Sequence, residues 1–182
     1  MITQAILLRN KASLISLIPN DKPGYYKWWA KENDLDILLT QLNVDFSEKV
    51  YMEKNTSGLY CIYVGIAAKE SIQQRLDWHI NDTHTTSRVQ NGTLSTLRQS
   101  ISSVIVGNQY DKNATNEFID RLSVEWFTID EAIKKPEAIE TLHSIEKNII
   151  AEHLYLLNIQ NNKNPRSTQI KKDLKRLRKA SK

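Results

Sequence analysis

A short apolar run in the middle of the chain most constrains its fold. Residues 59–65 read Leu-Tyr-Cys-Ile-Tyr-Val-Gly and follow the turn residues Asn-Thr-Ser-Gly at 55–58. A run of this length with no charged residue is typical of a strand buried in the centre of a sheet. The sequence therefore predicts a sheet built around this strand.

Two further strands and several helices are predicted around this run. The strands are the aromatic-rich segment Gly24–Trp29 and Val124–Ile129, and the helices cover about 33–43, 69–81, 94–106 and 136–156. The order is strand, strand, helix, helix, strand, helix, with one helical insertion between the first two strands. This order predicts an α/β (α+β) domain with a small, mainly antiparallel sheet flanked by helices.

Three segments are predicted along the chain. Residues 1–22 form an N-terminal helical extension, with a helix over 1–18, and residues 23–165 form the main domain, with an insertion at about 31–57. Residues 166–182 form a basic C-terminal helix or tail. A length of 182 residues with 40% hydrophobic content suits one globular domain.

The positive charge is concentrated in the last segment. Residues 166–182 hold eight basic residues and one acid, which leaves 17 basic and 20 acidic residues elsewhere. A tail of net charge +7 on a body of −3 attracts a polyanion. The alternative is a solvated helix that happens to be basic. Ile170, Leu174 and Leu177 recur at helical spacing and indicate an amphipathic helix docked on the body.

The sequence also indicates in which cellular compartment the protein is found. No apolar run approaches the roughly 20 residues that cross a membrane, and the first residues lack the basic region of a signal peptide. The one cysteine, Cys61, forms no disulfide within the chain and cannot build a cysteine zinc site. We therefore expect a cytoplasmic protein with no membrane partner.

Glu146 stands out in the last long helix. It falls on the apolar stripe between Leu142 and Ile149, and no Lys or Arg lies three or four residues away. A carboxylate on an apolar face is costly unless it is paired or coordinates a metal. Glu146 is therefore a candidate metal ligand. The alternative is a partly buried glutamate with a partner elsewhere in the fold.

Two short motifs resemble those of a known enzyme family. Pro23-Gly24-Tyr25-Tyr26 in the first strand and Tyr63-Val64-Gly65 in the second resemble the paired motifs of the GIY-YIG nuclease superfamily. Leu17-Ile18-Pro19 with the proline-glycine pair also resembles the start of the nuclease domain in bacterial excision repair. The resemblance covers roughly residues 17–165. Its specificity lies in the ordered set of Tyr, Tyr, Arg, Glu and Asn on the expected elements.

The first motif has competing alignments. Gly58-Leu59-Tyr60 matches the first three-letter motif of the family more closely. However, Tyr60 lies only three residues before Tyr63, which is too near for the two to lie on separate strands of a hairpin. Lys49-Val50-Tyr51 has a hairpin-like separation from Tyr63. Pro23-Gly24 favours Tyr26.

The resemblance implies roles for single residues. It implies that Arg75 holds the scissile phosphate, that His79 lies one turn later on the same helix face, and that Glu146 binds the metal. Asn158, twelve residues after Glu146, matches an asparagine that braces the site. The structural alternatives are a surface salt bridge for Arg75 and a packed histidine beside Trp78 for His79.

The implied reaction is hydrolysis of DNA phosphodiester bonds with one Mg²⁺, or Mn²⁺, as cofactor. The resemblance implies that Tyr26 is the general base, with Tyr63 in its hydrogen-bond network. His79 is the alternative base or a proton relay, because an unperturbed pKa of ~6.5 suits proton transfer. The sequence does not decide between Tyr26 and His79.

Further DNA contacts are predicted on the flanking segments: Lys69, Thr96, Arg98, Lys171, Lys172, Lys175 and Arg176. Thr96 and Arg98 open a helix whose N-terminus can hold a phosphate, although capping and turn chemistry explain them equally well. A single site cuts one strand, so duplex cleavage suggests a two-fold dimer.

Three functions are consistent with these features. The intact set of Tyr, Arg, Glu and Asn favours an active, restriction-like endonuclease. A catalytically idle nucleic-acid-binding module with the same fold would not need Glu146. A repair nuclease would require partner subunits.

Overall fold

The computed structural model describes residues 2–182 and contains one four-stranded sheet. The strands, in the spatial order β1-β4-β2-β3, are β1 (Ile2–Gln4), β2 (Gly24–Ala30), β3 (Tyr60–Ala67) and β4 (Ser123–Thr128). All three pairings are antiparallel. The predicted α+β fold with a small antiparallel sheet is therefore confirmed.

Helices cover the sheet and carry most of the remaining chain. They are α1 (Ala5–Arg9), α2 (Lys11–Leu17), α3 (Glu32–Gln41), α4 (Ile72–Asn81), α5 (Thr86–Asn91), α6 (Thr96–Ile101), α7 (Lys112–Arg121), α8 (Pro136–Glu152) and α9 (Ser167–Ala180). A 3₁₀ turn spans Phe46–Tyr51, and α6 continues into a π-helical turn over Ser102–Val106. Within residues 2–182, no helix is both long and apolar enough to cross a membrane.

The N-terminal segment differs from the prediction of one helix over 1–18. Met1 lies outside the described residues, and β1 pairs with β4 at the edge of the sheet. Two short helices follow, and they are separated at Asn10. The Asn10 side chain accepts hydrogen bonds from the backbone N–H groups of Ala12 and Ser13, so it caps α2 instead of continuing α1.

Residues of all three predicted segments share one hydrophobic core. Leu8 and Leu14 enter it from the N-terminal segment, and Leu38 enters it from the predicted insertion. From α9, Ile170 and Leu174 are buried in the same core, and Leu177 packs partly against it. The basic C-terminal helix is thus docked on the body, as its apolar spacing predicts.

The pairing of β2 with β3 places the two tyrosine motifs side by side. Tyr26 lies opposite Gly65 in the antiparallel register. A Cβ atom at Gly65 would lie 2.3 Å from the Tyr26 hydroxyl oxygen, which leaves no room for any side chain. The glycine that ends the second motif is therefore needed for the close approach of the Tyr26 ring.

Docking of α9 gives a prediction about stability. Leu174 is completely buried, so Leu174→Ala should lower the free energy of unfolding by about 2–5 kcal/mol. Lys172→Ala changes an exposed residue of the same helix and should alter it by less than about 0.5 kcal/mol. Urea denaturation followed by circular dichroism measures both. Equal stabilities of the two variants would show that α9 lies outside the cooperative core.

Candidate active site

Strands β2 and β3 and helices α4 and α8 bring five of the predicted site residues into one cluster. Tyr26 comes from β2, Tyr63 from β3, Arg75 and His79 from α4, and Glu146 from α8. The positive charge of Arg75 lies near enough to lower the pKa of both tyrosines, of His79 and of Glu146. The negative charge of Glu146 raises the pKa of both tyrosines. The five side chains therefore share one electrostatic environment.

A capping box fixes the start of α4. Ser71 Oγ accepts a hydrogen bond from the Gln74 backbone N–H at 3.1 Å, and Gln74 Oε1 accepts one from the Ser71 N–H at 3.1 Å. The helix therefore begins at Ile72, three residues later than predicted. The spacing of four residues places Arg75 and His79 on the same face, one turn apart.

Tyr26 and His79 form a buried hydrogen-bonded pair. The Tyr26 hydroxyl lies 2.6 Å from His79 Nε2, and each residue is only 1% exposed. Burial raises the pKa of Tyr26 well above its ordinary value and lowers the pKa of His79 well below its own. Both groups are therefore neutral at neutral pH. In the tautomer protonated at Nδ1, Nε2 accepts a hydrogen bond from the Tyr26 hydroxyl.

Tyr63 lies beside this pair and is slightly more open. Its ring centroid is 6.4 Å from that of Tyr26 and 6.0 Å from that of His79, and the residue is 8% exposed. Burial raises the pKa of Tyr63 to about 12, and the charge of Glu146 acts in the same direction.

Two residues of other helices also act on Tyr63. Besides Arg75, the side chain of Thr96 on α6 and the charge of Arg178 on α9 lower the Tyr63 pKa. Thr96 was predicted from sequence as a DNA contact, and it is half-buried at this position. Arg178 was not singled out by sequence reasoning, because nothing local distinguishes it from the other basic residues of α9.

Arg75 forms a salt bridge, which was the alternative to a phosphate-binding role for this residue. Its guanidinium pairs with the Glu70 carboxylate and lies 4.8 Å from the Trp78 ring centroid. Its Nε atom, however, is buried without a hydrogen-bond partner among the described residues. The guanidinium thus retains a donor that faces no acceptor in the unliganded protein.

Glu146 is largely buried, as the apolar stripe predicts, with 14% of its side chain exposed. Burial raises its pKa, and the amide of Asn161 opposes this by donating to Oε2 at 2.9 Å. His143 Nδ1 lies 4.0 Å from the same oxygen. No lysine or arginine of residues 2–182 forms an ion pair with Glu146. The ionised carboxylate is therefore only weakly compensated.

This donor set fits a hard divalent cation. Within residues 2–182 no protein atom donates a hydrogen bond to Glu146 Oε1, and no group of three or more His, Cys, Asp or Glu side chains could hold a metal. A cation at Glu146 would therefore take most of its ligands from water and from a substrate phosphate. Mg²⁺ is commonly bound in this manner, because it keeps several of its waters.

Asn158 braces β3 through a pair of backbone hydrogen bonds. Its Oδ1 accepts from the Val64 N–H at 2.9 Å, and its Nδ2 donates to the Val64 carbonyl at 2.8 Å. The side chain is buried and occupies the position of a neighbouring strand. This contact holds the residue next to Tyr63 in place.

Tyr51 and Tyr60, the alternatives to Tyr26 for the first motif, each lie against a cationic side chain instead of His79. Tyr51 is 43% exposed, and its ring centroid lies 3.4 Å from the guanidinium carbon of Arg166. Tyr60 lies under the Lys54 ammonium, 4.7 Å from its ring centroid. Of the three candidates for the first motif, Tyr26 is the one that contacts His79.

The structure contradicts the prediction that Arg98 contacts DNA. Arg98 is completely buried, and its guanidinium donates to His84 Nε2, to the carbonyls of His79 and Ile80, and to Asn116 Oδ1. These bonds hold the end of α4 against α6 and α7. The Ser95 hydroxyl caps α6 by accepting from the Arg98 N–H, so the capping interpretation of this segment holds.

The other predicted DNA contacts lie at or near the surface. Lys69 is exposed in the loop after β3, and Lys172, Lys175 and Arg176 are exposed on α9. Lys171 is half-buried and donates to the Asn162 carbonyl. These exposed residues remain available to a polyanion.

Comparison with known proteins identifies the family. The family profile described as the GIY-YIG catalytic domain matches residues 24–180, which include all six predicted site residues and α9. No curated protein and no solved structure matches the chain. The chain therefore belongs to the GIY-YIG catalytic domain family and is an enzyme of nuclease-type phosphodiester hydrolysis.

Proposed function

We propose that this enzyme is a metal-dependent endonuclease that cuts DNA through the cluster around Tyr26 and His79. The observation that carries the proposal is the 2.6 Å contact between the Tyr26 hydroxyl and His79 Nε2, next to a guanidinium and a desolvated carboxylate. Hydrolysis of a phosphodiester needs a base for water, positive charge at the phosphate and assistance to the leaving oxygen. The cluster offers a group for each task.

The base is best described as the Tyr26–His79 pair. Burial raises the pKa of the Tyr26 hydroxyl, so Tyr26 alone is a poor base at neutral pH. The low pKa of His79 keeps its imidazole neutral, so Nε2 has a lone pair for the tyrosine proton, and the negative charge of a bound phosphate would raise its basicity. As water attacks phosphorus, its proton passes to the Tyr26 oxygen while the tyrosine proton moves to His79 Nε2.

Arg75 and Glu146 serve the phosphate and the leaving group. The planar guanidinium of Arg75 suits a phosphate oxygen, because it carries five donors and the Glu70 salt bridge does not use them all. Glu146 would hold Mg²⁺ or Mn²⁺, which when bound supplies Lewis-acid stabilisation of the leaving 3′-oxygen. Tyr63, on which the charges of Arg75 and Glu146 both act, would orient the phosphate.

A catalytically idle nucleic-acid-binding module is the second candidate. Its basic C-terminal helix would suffice for binding, and a neutral side chain would be less costly than a buried Glu146. The retained carboxylate favours catalysis.

Incubation of purified protein with supercoiled plasmid and Mg²⁺, with chelator as the control, tests the proposal. Discrete linear fragments would indicate restriction-like cleavage of both strands, as expected for a two-fold dimer. Nicked circles would indicate cleavage of one strand, and a smear would indicate a non-specific nuclease. Plasmid that stays intact with Mg²⁺ and with Mn²⁺ would favour the idle module.

The Glu146→Gln variant tests the metal assignment through stability as well as activity. Because burial raises the Glu146 pKa above 4.5, the folded state holds this proton more tightly than the unfolded state. Stability therefore falls as the pH rises from the unfolded-state pKa through the higher folded-state pKa, and the cost is present once the carboxylate is ionised. In chelator, Glu146→Gln should melt at the same or a higher temperature than the wild type.

Addition of Mn²⁺ should reverse that order. At ten times the Kd, binding adds about 1.4 kcal/mol to the wild type, or roughly 3–6 °C in Tm, and adds nothing to Glu146→Gln. DNA cleavage by the variant should disappear. Differential scanning calorimetry with and without Mn²⁺ measures the shift. Equal shifts in both proteins, or more than about a tenth of the wild-type activity in the variant, would remove Glu146 as the ligand.

Tyr26→Phe tests the proposed base. Loss of the hydroxyl should lower the single-turnover cleavage rate by on the order of 10²-fold or more. Tyr60→Phe is the matched control, because Tyr60 is also buried but lies away from His79. Quenched-flow cleavage of a labelled duplex measures both rates. If Tyr51→Phe abolishes cleavage and Tyr26→Phe does not, the first motif is misplaced.

A further inference from the structure

We propose that Arg178 is a second phosphate-binding residue of this site, which α9 supplies to hold a phosphate of the bound strand beside Tyr63. The proposal rests on the proposed nuclease function and adds a residue from outside the two motifs. Three features of Arg178 support the proposal: its backbone is fixed, its guanidinium has a neutral partner, and its charge has no ion pair within residues 2–182.

The end of α9 is fixed by a buried polar clamp. Gln109 Nε2 donates to the Arg178 carbonyl at 2.7 Å and to Ser181 Oγ at 3.0 Å, and the Gln109 N–H donates to the Ser181 carbonyl at 2.9 Å. Ser181 Oγ in turn donates to Ser103 Oγ at 2.8 Å. The backbone of Arg178 is therefore held against the π-helical turn that follows α6.

The side chain of Arg178 is oriented by a neutral partner. Its guanidinium donates to Gln99 Oε1. The Gln99 amide is itself fixed, because Nε2 donates to the carbonyls of Gly92 at 2.9 Å and Leu94 at 2.5 Å. An amide oxygen accepts a hydrogen bond but supplies no negative charge. The guanidinium is thus positioned without being neutralised, and most of its five donors stay free.

Arg178 differs in this respect from Arg75. Arg75 pairs with the Glu70 carboxylate, whereas none of the ion pairs found in residues 2–182 includes Arg178. Arg178 is half-buried, and burial lowers its pKa, although an arginine remains charged at neutral pH. A partly desolvated cation without an anionic partner is compensated when an anion binds.

Gln99, the partner of Arg178, lies three residues after Thr96 on the same face of α6, and the Thr96 side chain bonds Tyr63. The guanidinium therefore lies on the Tyr63 side of α6, and its charge, like that of Arg75, lowers the Tyr63 pKa. A groove of about 310 Å³ lies along α9, lined by Gln99, Ile159, Lys175, Arg178, Lys179 and Lys182. Four of these residues are cationic and none is acidic. Such a lining fits the sugar-phosphate backbone of a strand whose scissile phosphate lies at Arg75.

Binding experiments on Arg178→Gln test this assignment. Arg121→Gln is the matched control, since Arg121 has the same charge, is half-exposed on α7 away from the groove and pairs with Asp34 at 2.9 Å. Fluorescence anisotropy of a short DNA duplex, with all variants in the Glu146→Gln background, follows binding without cleavage. Arg178→Gln should weaken binding about tenfold and reduce the log–log salt slope by about 0.9, as expected for one lost phosphate contact. Arg121→Gln should change both quantities much less.

Cleavage experiments separate positioning from simple attraction. In the otherwise wild-type enzyme at saturating DNA, Arg178→Gln should lower the single-turnover rate about tenfold or more. Arg178→Lys keeps a charge but not the planar fork, so it should restore the salt slope and leave the rate reduced. Thermal melting checks that each variant is folded, and if Arg178→Gln is not, the Lys variant gives the rate comparison alone.

The outcomes distinguish this proposal from the function on which it rests. A wild-type protein that never cuts plasmid contradicts the nuclease proposal. A wild-type protein that cuts, with Arg178→Gln and Arg121→Gln equal in salt slope and rate, contradicts the role of Arg178 alone. A rate for Arg178→Lys equal to that of the wild type would show that Arg178 contributes charge without positioning the strand.

Discussion

The hydrogen bond between Tyr26 and His79 is the interaction on which the rest of the site depends. It exists because β2 and β3 pair with Tyr26 opposite Gly65, where no side chain blocks the phenol ring. It also requires the end of α4 to be fixed. Buried Arg98 does this by donating to the carbonyls of His79 and Ile80. Sheet register and helix position thus meet in one 2.6 Å contact.

Burial then sets the chemistry of the cluster. Desolvation disfavours charged forms, so it raises the pKa values of Tyr26, Tyr63 and Glu146 and lowers that of His79. The unliganded site is therefore largely neutral, apart from its guanidinium groups and the weakly compensated Glu146. In the proposed mechanism, a phosphate and a divalent cation would supply the charges that this arrangement lacks.

Much of this arrangement could be predicted from the sequence, but only where the signal is local. The apolar runs located β2, β3 and β4 within one or two residues, and Glu146 stood out because it interrupts an apolar stripe. Strand β1 was missed, because a three-residue strand is defined by its pairing with β4, about 120 residues away along the chain. Helix periodicity carries no information about such a partner.

Arg98 and Arg178 show the same limit at the level of single side chains. Each is a basic residue in a helix, and the sequence predicted the first as a DNA contact and did not single out the second. Their environments depend on distant polar partners: Asn116 and His84 enclose Arg98, whereas Gln99 and Gln109 hold Arg178 at the edge of the groove. Which guanidinium is buried and which is available is decided by tertiary contacts.

The proposed mechanism depends on a divalent cation that the buried Glu146 carboxylate would hold beside Tyr63. Anomalous diffraction from crystals of the protein grown with Mn²⁺ and a DNA duplex tests it most directly. We expect one manganese peak roughly 2.0–2.3 Å from a Glu146 carboxylate oxygen, with water and phosphate oxygens as its other ligands. A site with DNA bound but no peak at Glu146, or with manganese on other side chains, would contradict the account.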